Sequence, residues 1–308
     1  MAIDSMECRR CGATITAGQS FGAQRGRASS WESCAFHCKC GVAYSNSADP
    51  TQRKMFVRTP EDAVPAEARN GLSGTLASAV NITNRGSKSG RFCSESSEDA
   101  VTWTVFRYLQ SSRQLDLVAG LGGLHPVGEP NLLLWGAPTA PTQKALALAE
   151  SLRDCSLSLG ERVQRRTEPD VVIGWDNVVV FVEVKYRSRN EKRPAHEHFS
   201  RYLDQTAIMH LFCASPAEIR KEGAYELVRN WRIGAGVAGD REFALLNLAP
   251  ESVTKRTRGF AAQLRCAPNR KFCPTPWRTF LRETCGIADA PDWFTDFVNK
   301  KELMGRYG

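Results

Sequence analysis

Apolar residues fill two short runs near the middle of the chain, Val171 to Trp175 and Val178 to Val184, with Asp176-Asn177 between them. Runs this short and rich in β-branched residues read as strands. Asp and Asn tolerate the positive φ of a tight turn, so the spacing predicts a hairpin that folds Val171 to Trp175 back on Val178 to Lys185. Upstream, Val101, Thr102, Val105, Phe106 and Leu109 recur at the spacing of one helix face behind the start signal Ser96-Ser97-Glu98-Asp99. Leu132 to Trp135 reads as a strand, and Thr142 to Leu159 as a helix stopped at Gly160. Downstream, His196 to Phe212 predicts one helix with Tyr202, Gln205, Ile208, Met209 and Phe212 on one side. Ala217 to Arg232 predicts another, and Phe243 to Leu248 a buried strand of the same sheet. The fold class is α/β, a mixed sheet flanked by helices.

Charged residues interrupt this pattern where the strands end. Side chains alternate along a strand, so Glu183 and Lys185 share one face, Val182 and Val184 the other, and Asp170 approaches the first pair across the hairpin. Two carboxylates and an amine converging in this way can hold a divalent cation and set an ammonium beside a phosphate and its attacking water. Glu98 lies on the same face as Val101, Thr102 and Val105, whereas Asp99 follows Trp103 and Phe106, so Glu98 is the better candidate for a third acid. Its place at a helix start is also what the helix dipole favours in any protein. Gln205 is the polar exception on an apolar face, and its amide needs partners there.

Pro169-Asp170 before one strand and Glu183-Val184-Lys185 at the end of the next resemble the PD-(D/E)xK nuclease superfamily, over about 96 to 212. The resemblance implies a restriction-endonuclease-like core and a metal-dependent nuclease that hydrolyses phosphodiester bonds. Asp170, Glu183 and Glu98 would hold Mg2+ or Mn2+, Lys185 would position or activate water, and Gln205 would orient water or a phosphate. A DNA endonuclease of restriction, defence or repair is the expected activity. The alternative is a non-cleaving nucleic-acid-binding protein on a nuclease-like fold. A basic loop, Arg187, Arg189, Lys192 and Arg193, follows the catalytic lysine and is expected to track the nucleic-acid backbone.

The amino terminus carries separate chemistry. Cys8-Arg9-Arg10-Cys11-Gly12 and Cys38-Lys39-Cys40-Gly41 are paired knuckles, each followed by a glycine that permits the turn. They point to a zinc-ribbon-like module with structural Zn2+ on Cys8, Cys11, Cys38 and Cys40, while Cys34 and His37 stand close enough in sequence to replace a ligand. No apolar leader opens the chain and no run approaches a membrane span, so a cytoplasmic protein with reduced thiols and no membrane partner is expected. The net charge of +8, from 41 basic and 33 acidic side chains, agrees with a polyanionic partner without identifying one. A protein partner recruited through the ribbon stays open. The organisation follows: residues 1–50 form the cysteine module, 51–93 a linker or loop, 94–250 the nuclease core and 251–308 a basic, aromatic helical extension. That extension reads as a cap packing its aromatics on the core, with a DNA-facing role the weaker option.

Overall fold

The computed structural model describes residues 5–18, 28, 30–45, 47, 53–83, 87–163, 168–188 and 196–305. At the amino terminus, β1 (Ser5–Glu7) pairs antiparallel with β2 (Thr14–Thr16). A second antiparallel sheet orders β3 (Phe36–His37), β4 (Val42–Tyr44) and β5 (Met55–Val57). These strands are too short to bury much, and their cluster is small: Ile15, Phe36, Val42, Tyr44 and Val57 around Cys8 and Cys38.

The main sheet has six strands in the order β11-β10-β9-β8-β6-β7. β6 (Asn131–Leu134) pairs antiparallel with β7 (Ala137–Pro138) and with β8 (Val171–Gly174), and β8 pairs antiparallel with β9 (Val178–Val184). β10 (Glu242–Ala249) runs parallel to β9, and β11 (Arg270–Pro276) parallel to β10. Helices cover both faces. One face carries α1 (Leu72–Thr83), α2 (Ser87–Phe92), α3 (Glu98–Ser111) and α4 (Leu115–Gly120) on Val178, Val180, Val182 and Val184 of β9. The other face packs α5 (Gln143–Ser158), α6 (His196–Ser200), α7 (Gln205–His210), α8 (Pro216–Glu222) and α9 (Tyr225–Ala238) against Val179 and Phe181. Every residue of β9 is buried, which is why it reads as an apolar run up to Glu183. After β10 come α10 (Glu251–Thr254) and α11 (Arg258–Ala262), and after β11 come α12 (Trp277–Thr284) and α13 (Asp292–Lys300).

Five expectations need amendment, the first being the helix over Ala217 to Arg232, which is two, α8 and α9, divided where Gly223 takes the left-handed φ of +77°. The hairpin forms, with Trp175 N–H donating to Val178 O at 2.8 Å, but neither Asp176 nor Asn177 has a positive φ. The turn is held from outside: Asn177 Oδ1 accepts from Val127 N at 2.7 Å and its Nδ2 donates to His125 O at 3.0 Å. Gly128, at φ +86°, lets this loop close, since a Cβ there would lie 2.7 Å from the Asp176 carboxylate.

The segment 51–93 contains β5, α1 and α2 and is not a linker, because Leu72, Leu76 and Ala79 recur at helical spacing within its small-residue composition and enter the core. The single helix over 196–212 is divided into α6 and α7: Asp204 accepts from Ala207 N at 2.7 Å and starts a new helix. The carboxy-terminal stretch supplies the edge strand β11 as well as helices, and Trp277, Phe280, Phe294 and Phe297 pack into the main core as a cap. No helix among the described residues is long and apolar enough to cross a membrane.

Candidate functional site

On the α9 side of the sheet, β9 presents Val179, Phe181, Glu183 and Lys185 in succession, so the apolar row turns ionic at its end. The pairing of Val171 with Val182 puts Asp170 opposite Glu183 one step further along. Glu183 and Lys185 are 3% and 5% exposed, so their charges require partners inside the protein. Lys185 Nζ lies 2.5 Å from Glu183 Oε1 and 2.8 Å from Glu226 Oε2. Asn230 Nδ2 donates to Glu183 Oε2 at 2.6 Å, with an Arg229 guanidinium nitrogen 3.7 Å from the same oxygen. Glu226, Arg229 and Asn230 come from one face of α9, at i, i+3 and i+4.

This network sets the protonation of the site. Burial alone would lower the Lys185 pKa, but the carboxylates of Glu183, Glu226, Asp170 and Glu98 outweigh it and hold it well above the ordinary lysine value. Lys185 is therefore an ammonium at neutral pH, able to neutralise developing negative charge but not to remove a proton. Asp170 is displaced upward, first by enclosure within the protein and then by Glu183, although Lys185 and the Val184 N–H donating to its Oδ2 at 2.8 Å oppose the shift. Two acids whose charges disfavour each other are what a bound cation would relieve.

Glu98 opens α3, where Ser97 caps by accepting from Ala100 N at 3.1 Å. Its Oε1 accepts from Tyr186 N at 2.9 Å, Ser188 N at 3.2 Å and Ser188 Oγ at 2.6 Å, so it clamps the chain leaving Lys185. Asp99 also reaches the site and pairs with the buried Lys88 at 2.9 Å. The Lys88 ammonium sits 4.4 Å from the ring centre of Trp135, a buried residue at φ +53° whose backbone N–H donates to Asp170 O at 3.1 Å and whose indole Nε1–H meets no acceptor among the described residues.

Asp170, Glu183, Lys185, Glu98, Asp99, Lys88, Glu226 and Arg229 line one cavity of about 740 Å3, with exposed Lys54, Arg91 and Arg187 at its mouth. Lys54 and Phe56 reach it from the amino-terminal module, which is joined to the core where β5 pairs with the segment before α3. There Val57 N donates to Cys93 O at 2.9 Å and Glu95 N to Met55 O at 2.9 Å.

Gln205 is not part of this cavity: it is exposed at the first turn of α7, because the chain breaks before Asp204 and rotates it out of the apolar face. Arg187 lines the cavity, whereas Arg189, Lys192 and Arg193 lie outside the described residues. Sequence reasoning missed Glu226, Arg229 and Asn230. Their signal is present, as three polar residues at core-facing positions of a helix otherwise filled with Leu227, Val228, Trp231 and Ile233.

A second candidate centre lies in the amino-terminal module. The sulfurs of Cys8, Cys11, Cys38 and Cys40 all lie within 4.8 Å of one another, with Cys8–Cys40 at 3.6 Å and Cys11–Cys38 at 3.5 Å. A tetrahedral ion with bonds of about 2.3 Å spaces its sulfurs by about 3.8 Å, so the four can hold a metal ion such as zinc. Gly12 and Gly41, at φ +74° and +87°, turn each knuckle and return N–H donors to Cys8 O and Cys38 O. Burial raises the Cys8 thiol, yet bonds from Tyr44 Oη and the Arg10 and Cys11 amides bring it down to about 6, while burial and the neighbouring sulfurs push Cys40 up to about 12, so the cluster without metal favours one thiolate among thiols. Cys34 and His37 are not in the group: the Cys34 thiol meets Ser30 O, and His37 Nε2 lies 3.0 Å from Cys34 O. Among the described residues, no other group of three or more such ligands closes as tightly, the acids of the main cavity included.

Compared with known proteins, the chain matches no family model, no curated protein and no solved structure.

Proposed function

We propose that the chain is a divalent-metal-dependent nuclease of the PD-(D/E)xK kind, acting on nucleic acid and most readily on DNA, with a zinc-ribbon-like module that carries structural Zn2+ on its four cysteines. The observation that carries this reading is the convergence of Asp170, Glu183 and Lys185 at the floor of a cavity whose mouth is cationic. The mixed sheet, with the acidic strand antiparallel to one neighbour and parallel to the other, suits the restriction-endonuclease-like core that the motif implies. Asp170 and Glu183, with Glu98 beside them, would hold Mg2+ or Mn2+ on carboxylate oxygens, and such an ion supplies charge neutralisation at phosphate and acidifies water. Lys185 places a fixed positive charge beside the scissile group, and Glu226, Arg229 and Asn230 hold Lys185 and Glu183 in orientation. Lys54, Arg91 and Arg187 draw the phosphate backbone to the mouth.

The test is a cleavage assay with Mg2+ or Mn2+ on supercoiled, linear and single-stranded DNA and on RNA, comparing wild type with Glu183→Gln and Lys185→Ala. Cleavage by the wild type and its loss in both variants are expected. Undiminished cleavage by Glu183→Gln would remove the assignment from these residues. A wild type that binds nucleic acid but cleaves nothing would leave the non-cleaving binding protein, a reading consistent with the closed pairing of Lys185 between two carboxylates.

A further inference from the structure

A second cavity, of about 420 Å3, opens between the cysteine module, the turn at 62–69 and α13, and it shares Ser94 and Arg187 with the wall of the first. Arg10, Arg69, Arg187, Lys300 and Lys301 face it, against Asp62, Glu95 and Asp296. Two of those acids are already engaged: Asp62 accepts from Thr59 N and Oγ1 at 3.2 and 2.9 Å, and Glu95 Oε1 takes Arg9 at 3.4 Å and Met55 N at 3.2 Å. With five basic side chains against three acidic ones, the lining carries an excess of positive charge. Burial first, then Lys300 and Arg187, lowers Lys301 to about 8, and its Nζ donates to Glu95 O at 2.8 Å. Trp293 and Phe297 supply aromatic surface beside these cations. Cationic and aromatic groups in one groove are the combination that holds a polynucleotide strand.

From this juxtaposition we infer that the second cavity is an extended binding subsite for the nucleic-acid backbone, which passes from the main cavity over Arg187 into a groove formed by Arg10, Arg69, Lys300 and Lys301. The inference rests on the nuclease reading for the identity of the polyanion but not for cleavage. The groove uses three parts of the chain, so the cysteine module and the carboxy-terminal cap both contribute to substrate binding.

Binding of fluorescein-labelled oligothymidylates of about 4 and about 16 nucleotides, measured by anisotropy without divalent metal, tests it. Wild type should bind the longer strand more tightly. The double variant Arg69→Glu/Lys300→Glu, both exposed positions, should bind the short strand as wild type does and lose the gain with length. Its log–log salt slope on the long strand should fall by about 1.4, at about 0.7 for each of two lost single-strand contacts. The milder Arg69→Ala/Lys300→Ala should show the same slope change and serves if the charge reversals disturb folding. Unchanged long-strand affinity and slope in either folded variant would overturn the subsite while leaving the nuclease reading intact. Length-dependent binding lost in the variants, with no cleavage by wild type, would uphold the subsite and end the nuclease reading. Failure of wild type to bind either strand would overturn the subsite and leave the nuclease reading to be decided by the cleavage assay.

Discussion

Replacing Asp170 by Asn should stabilise the protein while removing its activity. Asp170 is enclosed beside Glu183, and its pKa stands well above the ordinary carboxylate value for both reasons. The sign follows from linkage. Below the ordinary carboxylate range the acid is protonated in folded and unfolded chains alike and costs nothing. As the pH rises above that range the unfolded chain releases its proton while the folded chain retains it, so stability falls until the folded pKa is passed and then stays low. Each unit of displacement removes about 1.4 kcal/mol at higher pH. Asn keeps an oxygen for the Val184 N–H, which Asp170 now receives at 2.8 Å, and carries no charge to desolvate. Relief of a functional site of this kind is worth about 0.5–2 kcal/mol, and each kcal/mol shifts the melting temperature of a large domain by about 2–4 °C. Melting curves of wild type and Asp170→Asn in metal-free buffer, from pH 4 to 8, should show a gap in favour of the variant that widens with pH. Calorimetry with Mg2+ or Mn2+ should show weaker binding in the variant. A variant less stable than wild type at pH 8, or a gap independent of pH, would refute the account of Asp170 as a strained ligand.

Two further outcomes follow from the neighbouring contacts. Asn230→Ala removes the 2.6 Å bond to Glu183 Oε2, and metal affinity and cleavage should drop about 10- to 100-fold with circular dichroism unchanged, as for loss of a group that orients a ligand. Cleavage equal to wild type would show that Arg229 alone suffices to hold Glu183. Replacing Cys8 and Cys11 together by Ser should abolish zinc content by elemental analysis and also weaken DNA binding and cleavage, because Lys54 and Phe56 reach the main cavity from the same module. Zinc loss with wild-type activity would make the module independent of the site.

What the sequence made legible was local. β8 and β9 announce themselves because strands buried on both faces need apolar residues throughout, and the knuckles at Cys8, Cys11, Cys38 and Cys40 because a metal site leaves a spacing that core packing does not. Gln205 was misplaced by a periodicity that continues across the break at Asp204, since one-face spacing cannot register a change of helix axis. Glu226, Arg229 and Asn230 leave a signal as polar residues at core-facing helix positions, but that signal does not say what they face. A charged helical residue is normally solvated, and only the crossover that lays α9 over β9 reveals that these three face Glu183 and Lys185. The turn at Asp176-Asn177 was found for a reason other than the operative one, because its shape is imposed by a loop some fifty positions earlier.

The charges at the centre of the site explain why the motif needed this helix. Glu183 and Glu226 carry two negative charges, Lys185 and Arg229 two positive, and all four are buried within one hydrogen-bonded group. Asp170-Glu183-Lys185 by itself would leave an excess of buried negative charge, which costs several kcal/mol when unpaired. Arg229 and Glu226 add one charge of each sign and leave that sum unchanged, but they supply partners, Glu226 to Lys185 and Arg229 to Glu183, while Asp170 remains the member whose ionisation is opposed. A divalent cation entering beside Asp170 and Glu183 would reverse that opposition, so proton release should accompany its binding and affinity should rise with pH through the range in which folded Asp170 titrates.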